Sequence, residues 1–261
     1  MKVQTVENTG SSMTDTFYHR LKEQAEALGI QLSDTQIEQL FTYYEMLVET
    51  NKVMNLTAIT EESEVVTKHF IDSMAIVKAV VKNENVSRET LSGKTLIDVG
   101  TGAGFPGLVL KIVFPELKVT LSDSLQKRLR FLEDVIAKLG LQEVETIHGR
   151  AEDLGHQKNL RESFDFSTSR AVANMSTLSE YDLPFVKKDG YFIAYKSGEV
   201  GEELTTAENA IRKLGGKLEQ EVEYMLPESD IRRSLITIRK AKETPKTYPR
   251  KAGTPAKTPL K

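Results

Sequence analysis

The most informative stretch of this 261-residue chain reads Leu96-Ile97-Asp98-Val99-Gly100-Thr101-Gly102-Ala103-Gly104-Phe105-Pro106-Gly107. An apolar strand runs directly into a loop of alternating glycines, and Pro106 can begin the helix that follows. Glycine is needed where a side chain would block a ligand or where the backbone adopts a positive φ. Open α/β sheets bind their ligands at the carboxyl ends of the strands, which is where this loop lies. The stretch therefore predicts a ligand-binding loop in a doubly wound α/β domain.

Two cofactors compete for this loop. The spacing of Gly102, Gly104 and Gly107 matches the dinucleotide pattern, in which amides at a helix start bind a pyrophosphate. The carboxylate of Asp98 would repel a pyrophosphate but suits the ammonium of S-adenosylmethionine, directly or through water. Asp123, at the end of the second strand, can accept the ribose hydroxyls of either cofactor. We favour S-adenosylmethionine over a dinucleotide and over a glycine turn without a ligand. The predicted cofactor-binding residues of this region are Asp98, Gly100, Gly102, Gly104 and Asp123.

The sequence after Lys94 alternates short apolar strands with amphipathic helices, which is typical of a parallel sheet with right-handed crossovers. The predicted strands are Thr95–Val99, Lys118–Ser122, Val144–His148, Phe164–Ser169, Tyr191–Tyr195, Leu218–Met225 and Ser234–Arg239. The last two have no full helix between them, so we expect an antiparallel hairpin at one edge. This order of seven strands is the class I methyltransferase variant of the doubly wound, Rossmann-like fold.

The N-terminal part has a helical pattern instead. Ser33 and Gln36 form a capping box, and apolar residues follow at helical spacing to Val48. We divide the chain into a disordered leader (1–13), an N-terminal helical cap and linker (14–93), an S-adenosylmethionine-dependent methyltransferase domain (94–240) and a basic, proline-rich tail (241–261).

Composition limits the functional classes. The chain has no cysteine, which suits a reducing compartment and excludes disulfides, zinc-thiolate sites and a cysteine nucleophile. We see no secretion signal and no membrane span, so we expect a cytoplasmic protein. The four histidines lack ligand spacing, so no metal is expected. The net charge of −3 divides into +5 for residues 241–261 and −8 for the rest, which indicates a local contact with a polyanion.

The segment from His148 to Asp153 ends the third strand and leaves two interpretations open. In this fold the corresponding loop passes the adenine ring, which the backbone at Ala151 and an acid such as Glu152 could contact. Equally, the segment is an ordinary turn from a strand to a helix, with an acid that caps the helix.

Several motifs together carry a family resemblance. They are Asn55-Leu56-Thr57-Ala58-Ile59, His69-Phe70-Ile71-Asp72-Ser73, the glycine stretch Asp98–Gly107, Asp123–Arg128, Gly149–Glu152, Ser169–Val172, the Lys196 segment and the tail Thr244–Pro259. With these motifs the chain resembles the small-subunit ribosomal RNA guanine-N7 methyltransferases, also called the glucose-inhibited division protein B family. The resemblance covers nearly everything from about residue 15 onward.

The resemblance implies transfer of a methyl group from S-adenosylmethionine to N7 of one guanine in the decoding region of 16S rRNA. By matching position it also implies a cofactor site that includes Gly100, Phe105, Ala151, Glu152 and Arg170. One departure is the polar run Phe166-Ser167-Thr168-Ser169, where an apolar strand is expected before Arg170.

The chemistry agrees with this implication. Guanine N7 attacks with an in-plane lone pair and loses no proton, so catalysis needs alignment and electrostatics rather than a general base. Arg170, at the end of the fourth strand, can pair with the methionine carboxylate or donate to guanine O6. Lys196, at the end of the fifth strand, can hold the guanine or its phosphate. We therefore predict Arg170 and Lys196 as catalytic residues, with a structural ion pair as the alternative for Arg170.

The predicted RNA contacts are basic residues around the same rim and in the tail: Lys127, Arg150, Arg233, Arg250 and Lys251. The alternative for each is a solvated surface charge. The tail cannot continue a helix or central strand, so we expect an extended chain that becomes ordered only on RNA. The expected partner is 16S rRNA in the small ribosomal subunit or its assembly intermediate, with a monomeric enzyme and no membrane. The rival functions are a methyltransferase with another acceptor, a non-catalytic RNA-binding assembly factor and, more distantly, an oxidoreductase.

Overall fold

A computed structural model describes residues 12–80, 91–170 and 173–261 of the chain. Its centre is a seven-stranded sheet in the order β3-β2-β1-β4-β5-β7-β6. The strands are β1 (Thr95–Val99), β2 (Lys118–Asp123), β3 (Val144–His148), β4 (Phe164–Arg170), β5 (Val186–Ser197), β6 (Gly216–Met225) and β7 (Arg232–Lys240). Strands β1 to β5 pair in parallel, and β7 lies antiparallel between β5 and β6. The predicted doubly wound sheet with an antiparallel hairpin at one edge is confirmed.

Helices flank this sheet and precede it in the chain. They are α1 (Asp15–Ala27), α2 (Asp34–Met54), α3 (Glu62–Val65), α4 (Asp72–Met74), α5 (Ile76–Val80), α6 (Gly107–Val113), α7 (Gln126–Leu139), α8 (Ala151–Leu154), α9 (Met175–Asp182), α10 (Gly201–Lys213) and α11 (Thr254–Lys257). A π-helix occupies Val66–Ile71, and a 3₁₀ turn occupies Leu183–Phe185. Within the described ranges, the helices are all too short or too polar to cross a membrane.

Helix α2 begins with the predicted capping box. The Ser33 hydroxyl accepts a hydrogen bond from the Gln36 amide (3.2 Å), and the Gln36 side chain accepts one from the Ser33 amide (3.0 Å). The Gln36 Nε2 also donates to the carbonyls of Ile112 (2.9 Å) and Val113 (3.0 Å), at the end of α6. The Gln36 side chain thus binds a free amide at the start of α2 and free carbonyls at the end of α6. These bonds fix the N-terminal helices against the sheet domain.

The N-terminal helices and the sheet domain share one hydrophobic core. Phe17, Leu40 and Phe70 from the N-terminal part belong to the same buried cluster as Leu108 and Leu132. Burying each such side chain contributes roughly 1.5–3 kcal/mol, so the two parts stabilise one another. Most of the predicted leader (1–13) and of the linker between residues 82 and 93 lies outside the described residues.

The polar run in β4 forms a buried strand after all. Ser167, Thr168 and Ser169 are all buried between β1 and β5. The Ser167 hydroxyl donates to the carboxyl of Asp182, at the end of α9, which is itself fully buried. Burial raises the pKa of Asp182 well above its usual value. Ser167 thus has a buried carboxyl as its partner, and sequence periodicity alone does not reveal that partner.

The expectation that the tail is ordered only on RNA is wrong. Residues 241–261 pack on the domain and include the short helix α11. The Thr244 hydroxyl donates to the Leu214 carbonyl (2.7 Å), and the Arg161 guanidinium donates to the carbonyls of Thr244 (2.8 Å) and Tyr248 (2.9 Å). Proline lacks a backbone N–H, so a proline-rich segment has few hydrogen-bond donors but keeps every carbonyl acceptor. An arginine, which supplies several donors, can therefore hold such a segment in place.

Candidate active site

Asp98 lies at the centre of the glycine loop. It is fully buried, and its Oδ2 accepts hydrogen bonds from the Thr101 hydroxyl (2.7 Å) and the Gly107 amide (2.8 Å). Burial, opposed by these two hydrogen bonds, raises the pKa of Asp98 to about 6. A Cβ on Gly107 would lie 2.7 Å from the Asp98 Cβ, so only glycine lets the carboxylate approach the start of α6.

This arrangement distinguishes the two cofactors. The amide of Gly107 would have to face a pyrophosphate in the dinucleotide interpretation, but Asp98 already occupies it. The second oxygen of Asp98, Oδ1, is buried and has no hydrogen-bond partner among the described residues. A buried carboxylate oxygen without a partner is costly unless a donor reaches it. The ammonium of S-adenosylmethionine, directly or through water, is such a donor, so the loop fits this cofactor.

Asp123 ends β2 beside the loop and is nearly fully buried. Its Oδ2 accepts from the Gly102 amide (2.9 Å), and its Oδ1 accepts from the Leu125 amide (2.8 Å). Arg128 lies at 3.5 Å from the same Oδ2. Oδ1 has a further lone pair, so Asp123 is held in position and can still accept a ribose hydroxyl.

A cleft of about 240 Å³ opens at the carboxyl ends of β1, β2 and β4. Its lining consists of residues from the glycine loop, the ends of the strands and helices α8 and α9: Val99, Gly100, Ser122, Asp123, Ser124, Gly149, Arg150, Ala151, Glu152, Ser169, Leu178, Tyr181 and Asp182. Gly100, Asp123, Ala151 and Glu152, all predicted from the sequence as cofactor-binding, thus come together. Asp98 is buried behind the lining.

Gly104 and Phe105 point away from this cleft, toward the N-terminal helices. A Cβ on Gly104 would clash with the Tyr43 hydroxyl of α2, and the backbone φ of Gly104 is +101°. The Phe105 ring stacks on the imidazole of His69, with centroids 4.3 Å apart, and on Tyr43. The role of both residues in this structure is to pack the loop against the helical cap. Their predicted contact with the cofactor stays a prediction.

Arg170 binds the N-terminal helices with its guanidinium. It donates to the Lys68 carbonyl (3.2 Å), the Asp72 carboxylate (3.3 Å) and the His69 Nδ1 (3.0 Å), and it lies 5.1 Å from the Phe105 ring centroid. The ion pair that was the structural alternative for Arg170 is therefore present. His69 and Asp72, from one sequence motif, both bind this arginine.

His69 is neutral in this setting. Burial, reinforced by the charge of Arg170, lowers its pKa to about 3. Because Nδ1 accepts from Arg170, we assign the proton to Nε2, which lies 2.8 Å from the Thr57 hydroxyl. His69 thus links the Asn55–Ile59 motif to the end of β4, and it lies in the π-helix, a feature frequent at functional sites.

Asp72 receives two further partners from the β6–β7 hairpin. The Tyr224 hydroxyl donates to its Oδ1 (2.8 Å), and the Arg233 Nε lies 3.5 Å from its Oδ2. Tyr224 was not predicted, because a single tyrosine on an edge strand carries no sequence signal. Arg233 was predicted as a phosphate contact, and its side chain is mostly buried beside Asp72.

Lys196 lies near the end of β5 and is also paired. Its Nζ donates to the Ala173 carbonyl (2.8 Å) and lies 2.8 Å from the Glu203 carboxylate. The register sets Tyr195 beside Arg170, so Lys196 follows directly at the same edge of the sheet. The structure brings the two predicted catalytic residues to neighbouring strand ends.

The predicted RNA-binding residues fall into two groups. Lys127, Arg150 and Lys251 are exposed, and Arg150 lines the mouth of the cofactor cleft. Arg233 and Arg250 instead pair with the buried acids Asp72 and Glu180. All five assignments stay predictions. Among the described residues, no three His, Cys, Asp or Glu side chains are grouped as metal ligands would be.

Comparison with known proteins places these features in a family. A family model described as "GidB: rRNA small subunit methyltransferase G" matches residues 36–234. The ribosomal RNA small subunit methyltransferase G of Lachnoclostridium phytofermentans is 52% identical over 234 residues, covering 90% of this chain and 93% of the relative. The protein of the same name from Lactococcus lactis subsp. lactis is 52% identical over 248 residues, covering 95% and 99% of the two chains.

A solved structure agrees on the fold. The crystal structure of a mutant of MtNAS superposes with a TM-score of 0.50 at 16% identity, covering 84% of this chain and 78% of that one. The resemblance inferred from the glycine stretch and its companion motifs is confirmed by the family model and the relatives. The chain belongs to the rRNA small subunit methyltransferase G (GidB) family.

Proposed function

We propose that the protein transfers a methyl group from S-adenosylmethionine to N7 of one guanine in the 16S rRNA of the small ribosomal subunit. The observation that carries this proposal is the family match over residues 36–234, joined to a cofactor cleft at the expected strand ends. We infer that the enzyme acts as a monomer in the cytoplasm, on the subunit or on an assembly intermediate.

The cofactor would be held by residues from four elements. Asp98 would receive its ammonium at the unpartnered Oδ1, and Asp123 would accept the ribose hydroxyls. Ala151 and Glu152, in the wall at the end of β3, would face the adenine. Gly100 would let the backbone approach the cofactor closely. When bound, S-adenosylmethionine supplies an electrophilic methyl group on a sulfonium.

The acceptor chemistry asks little of the protein beyond alignment. Guanine N7 has an in-plane lone pair, so no proton must be removed before it attacks. The chain contains no cysteine, which excludes the covalent route to pyrimidine C5. At the end of β4 the sequence Ser169-Arg170-Ala171-Val172 stands where amino-group methyltransferases have a Pro-Pro loop. These features together favour a ring nitrogen as the methyl acceptor.

Arg170 and Lys196 would recognise the guanine. Arg170 has five N–H donors, and its bonds to the N-terminal helices involve Nη1 and Nη2, so donor capacity remains for guanine O6. Lys196 would hold the base or its phosphate with a donor beyond those bound to Ala173 and Glu203. Preorganised donors of this kind are worth about 10²–10³ in rate.

The RNA backbone would meet the basic residues around this edge. Lys127, Arg150 and Lys251 are exposed and available to phosphates. Arg233 and Arg250 would contact phosphates only through the N–H donors that their ion pairs leave unused. Binding by these residues should weaken with salt, because phosphate contacts release counterions.

The experiment is transfer of labelled methyl from S-adenosylmethionine to unmethylated small-subunit RNA, free and in particles, with the product mapped by N7-specific strand cleavage. One cleavable guanine is expected. Lys196→Met should lower the rate about 100-fold. Lys188→Met, an exposed lysine on the same strand β5, should leave it unchanged. If the protein binds the cofactor but methylates no RNA, RNA is not its methyl acceptor. If the product resists N7-specific cleavage, the methylated atom is not guanine N7.

A further inference from the structure

We propose that the C-terminal tail is a structural part of the cofactor site: it clasps α8 and α9, the two helices that wall the cleft, and so sets the affinity for S-adenosylmethionine. This inference rests on the proposed function, because it concerns the same cleft. It assigns positioning roles to Arg250 and Glu180 and to the contact between Gly253 and Glu152.

The first contact is with α8. Glu152 lines the cleft and is nearly fully buried, and its Oε1 accepts a hydrogen bond from the Gly253 amide (2.8 Å). The backbone of Gly253 has φ = +83°, a conformation that glycine adopts without strain, and it directs the amide at this carboxylate. The residue expected to face the adenine is therefore held in place by the tail.

The second contact is with α9. Glu180 is fully buried, and its carboxylate binds Arg250 at both oxygens: Nε to Oε1 at 3.0 Å and Nη2 to Oε2 at 2.7 Å. The Arg250 amide donates to the same Oε1 at 2.7 Å. One turn away, the Thr177 hydroxyl donates to the Pro255 carbonyl at 3.0 Å. The same helix supplies Leu178, Tyr181 and Asp182 to the cleft lining.

A third contact joins the middle of the tail to the turn after α8. Arg161 donates from one Nη1 to both the Gly155 carbonyl and the Tyr248 carbonyl, each at 2.9 Å. His156 Nε2 lies 2.7 Å from the Pro249 carbonyl. A Cβ on Gly155 would lie 3.0 Å from Pro249 Cγ, so the tail lies directly against this turn.

These contacts converge on one physical consequence. A fully buried carboxylate such as Glu180 needs its charge partner, so undocking the tail would leave it uncompensated and loosen α9. The same undocking would free Glu152 on α8. A cofactor that needs both walls in place must then bind more tightly when the tail is docked. By linkage, bound cofactor must stabilise the docked tail by the same factor.

A purely RNA-binding tail would behave differently. It would present its basic residues to phosphates and leave the cofactor untouched. Arg250, the central basic residue of the tail, is instead committed to a buried acid, and α11 packs against α9. The tail lysines at positions 246, 251 and 257 are exposed, so they remain available for contacts with RNA phosphates.

The test measures the dissociation constant of S-adenosylmethionine by calorimetry for the full chain and its variants. Arg250→Ala should raise the constant about tenfold, a factor typical of coupled sites. Glu180→Gln should raise it less, because the neutral side chain keeps its size and an acceptor, and the Arg250 guanidinium that loses its counter-charge is partly exposed. Lys158→Ala, which removes one positive charge from an exposed position in the loop after α8, should not change it. In Glu180→Gln, the KM for S-adenosylmethionine should rise with the constant, and kcat at saturating cofactor should stay within about twofold of the parent value.

Hydrogen exchange supplies a readout that does not depend on activity. In the parent protein, S-adenosylmethionine should slow exchange of the Gly253 and Arg250 amides, and in Glu180→Gln this protection should shrink. Variants that remain folded and bind the cofactor like the parent would overturn the proposal that the tail sets the affinity for S-adenosylmethionine. So would variants that change only the KM for RNA. A parent protein that fails to bind S-adenosylmethionine would instead overturn the proposed function itself.

Discussion

Replacing Asp72 with asparagine tests the cluster that joins the helical cap to the sheet. Asp72 is 2% exposed, and its side chain faces two arginines, Arg170 and Arg233, whose side chains are 14% and 19% exposed. The substitution keeps an acceptor for the Tyr224 hydroxyl but leaves two mostly buried guanidinium groups without a counter-charge. Removing one partner of a buried ion pair costs about 3–5 kcal/mol, because the remaining charge is uncompensated. Both arginine contacts exceed 3.2 Å, so we expect a loss of about 3 kcal/mol, the lower end of that range.

The assay is urea unfolding followed by circular dichroism. With a slope of about 3 kcal/mol per M, a loss of about 3 kcal/mol moves the midpoint down by about 1 M without a change in slope. The matched control is Glu49→Gln, whose acid pairs with Lys52 on the surface with side chains 74% and 63% exposed. Exposed pairs contribute about 0–1 kcal/mol, so this control should barely move the midpoint. An Asp72→Asn loss as small as that of Glu49→Gln would refute the view that Asp72 neutralises the arginine cluster.

Three further substitutions test the loop and its histidine. The unfolded chain protonates His69 near pH 6.5 and the folded one only near 3, so stability should fall as pH drops below 6.5. His69→Asn has no imidazole to protonate, so the difference in unfolding free energy between the parent and this variant should shrink by about 2 kcal/mol from pH 7 to 5. The titration of Asp98 is common to both proteins and cancels in that difference. Because the pKa of Asp98 is about 6, S-adenosylmethionine should bind roughly tenfold more weakly at pH 5 than at pH 7. Asp98→Asn should bind weakly at both pH values in the same titration. Gly107→Ala should lose about 1–3 kcal/mol in thermal unfolding through overpacking against Asp98. Gly201→Ala, with no atom within 4 Å of the added methyl, should not, and equal effects of the two would contradict the packing argument.

The sheet was predictable because buried parallel strands leave a simple sequence pattern. Strands β1 and β3 have the predicted bounds, and β5 is longer than predicted. It begins at Val186 rather than Tyr191 because Val186 pairs with Phe164, while the residues between, 187–189, are exposed and polar. Because several consecutive residues of this strand are exposed, it lacks the alternation of apolar and polar residues by which a strand is predicted from sequence.

The site was predictable only where the chain supplies a local motif. Asp98, Gly100 and Asp123 occur within a loop and its neighbouring strand end, so their joint position follows from the topology. The partners of Arg170 come from about a hundred positions earlier in the chain, and a helix face gives no sign of which strand end it meets. Glu180 likewise resembles an ordinary surface acid on a helix until a tail arginine covers it.

The two faces of the glycine loop depend on contacts from both the N-terminal helices and the C-terminal tail. One face, at Phe105, packs on His69 from the helical cap. The other opens into a cleft whose walls carry Glu152, bound to the tail. A fragment of residues 94–240 would keep every loop residue but would expose the shared hydrophobic core and leave Glu180 buried without Arg250. Its loop would then lack the stacking of Phe105 on His69, and Glu152 would lose the hydrogen bond from Gly253. We therefore expect the fragment to bind S-adenosylmethionine poorly even though it contains the complete glycine motif.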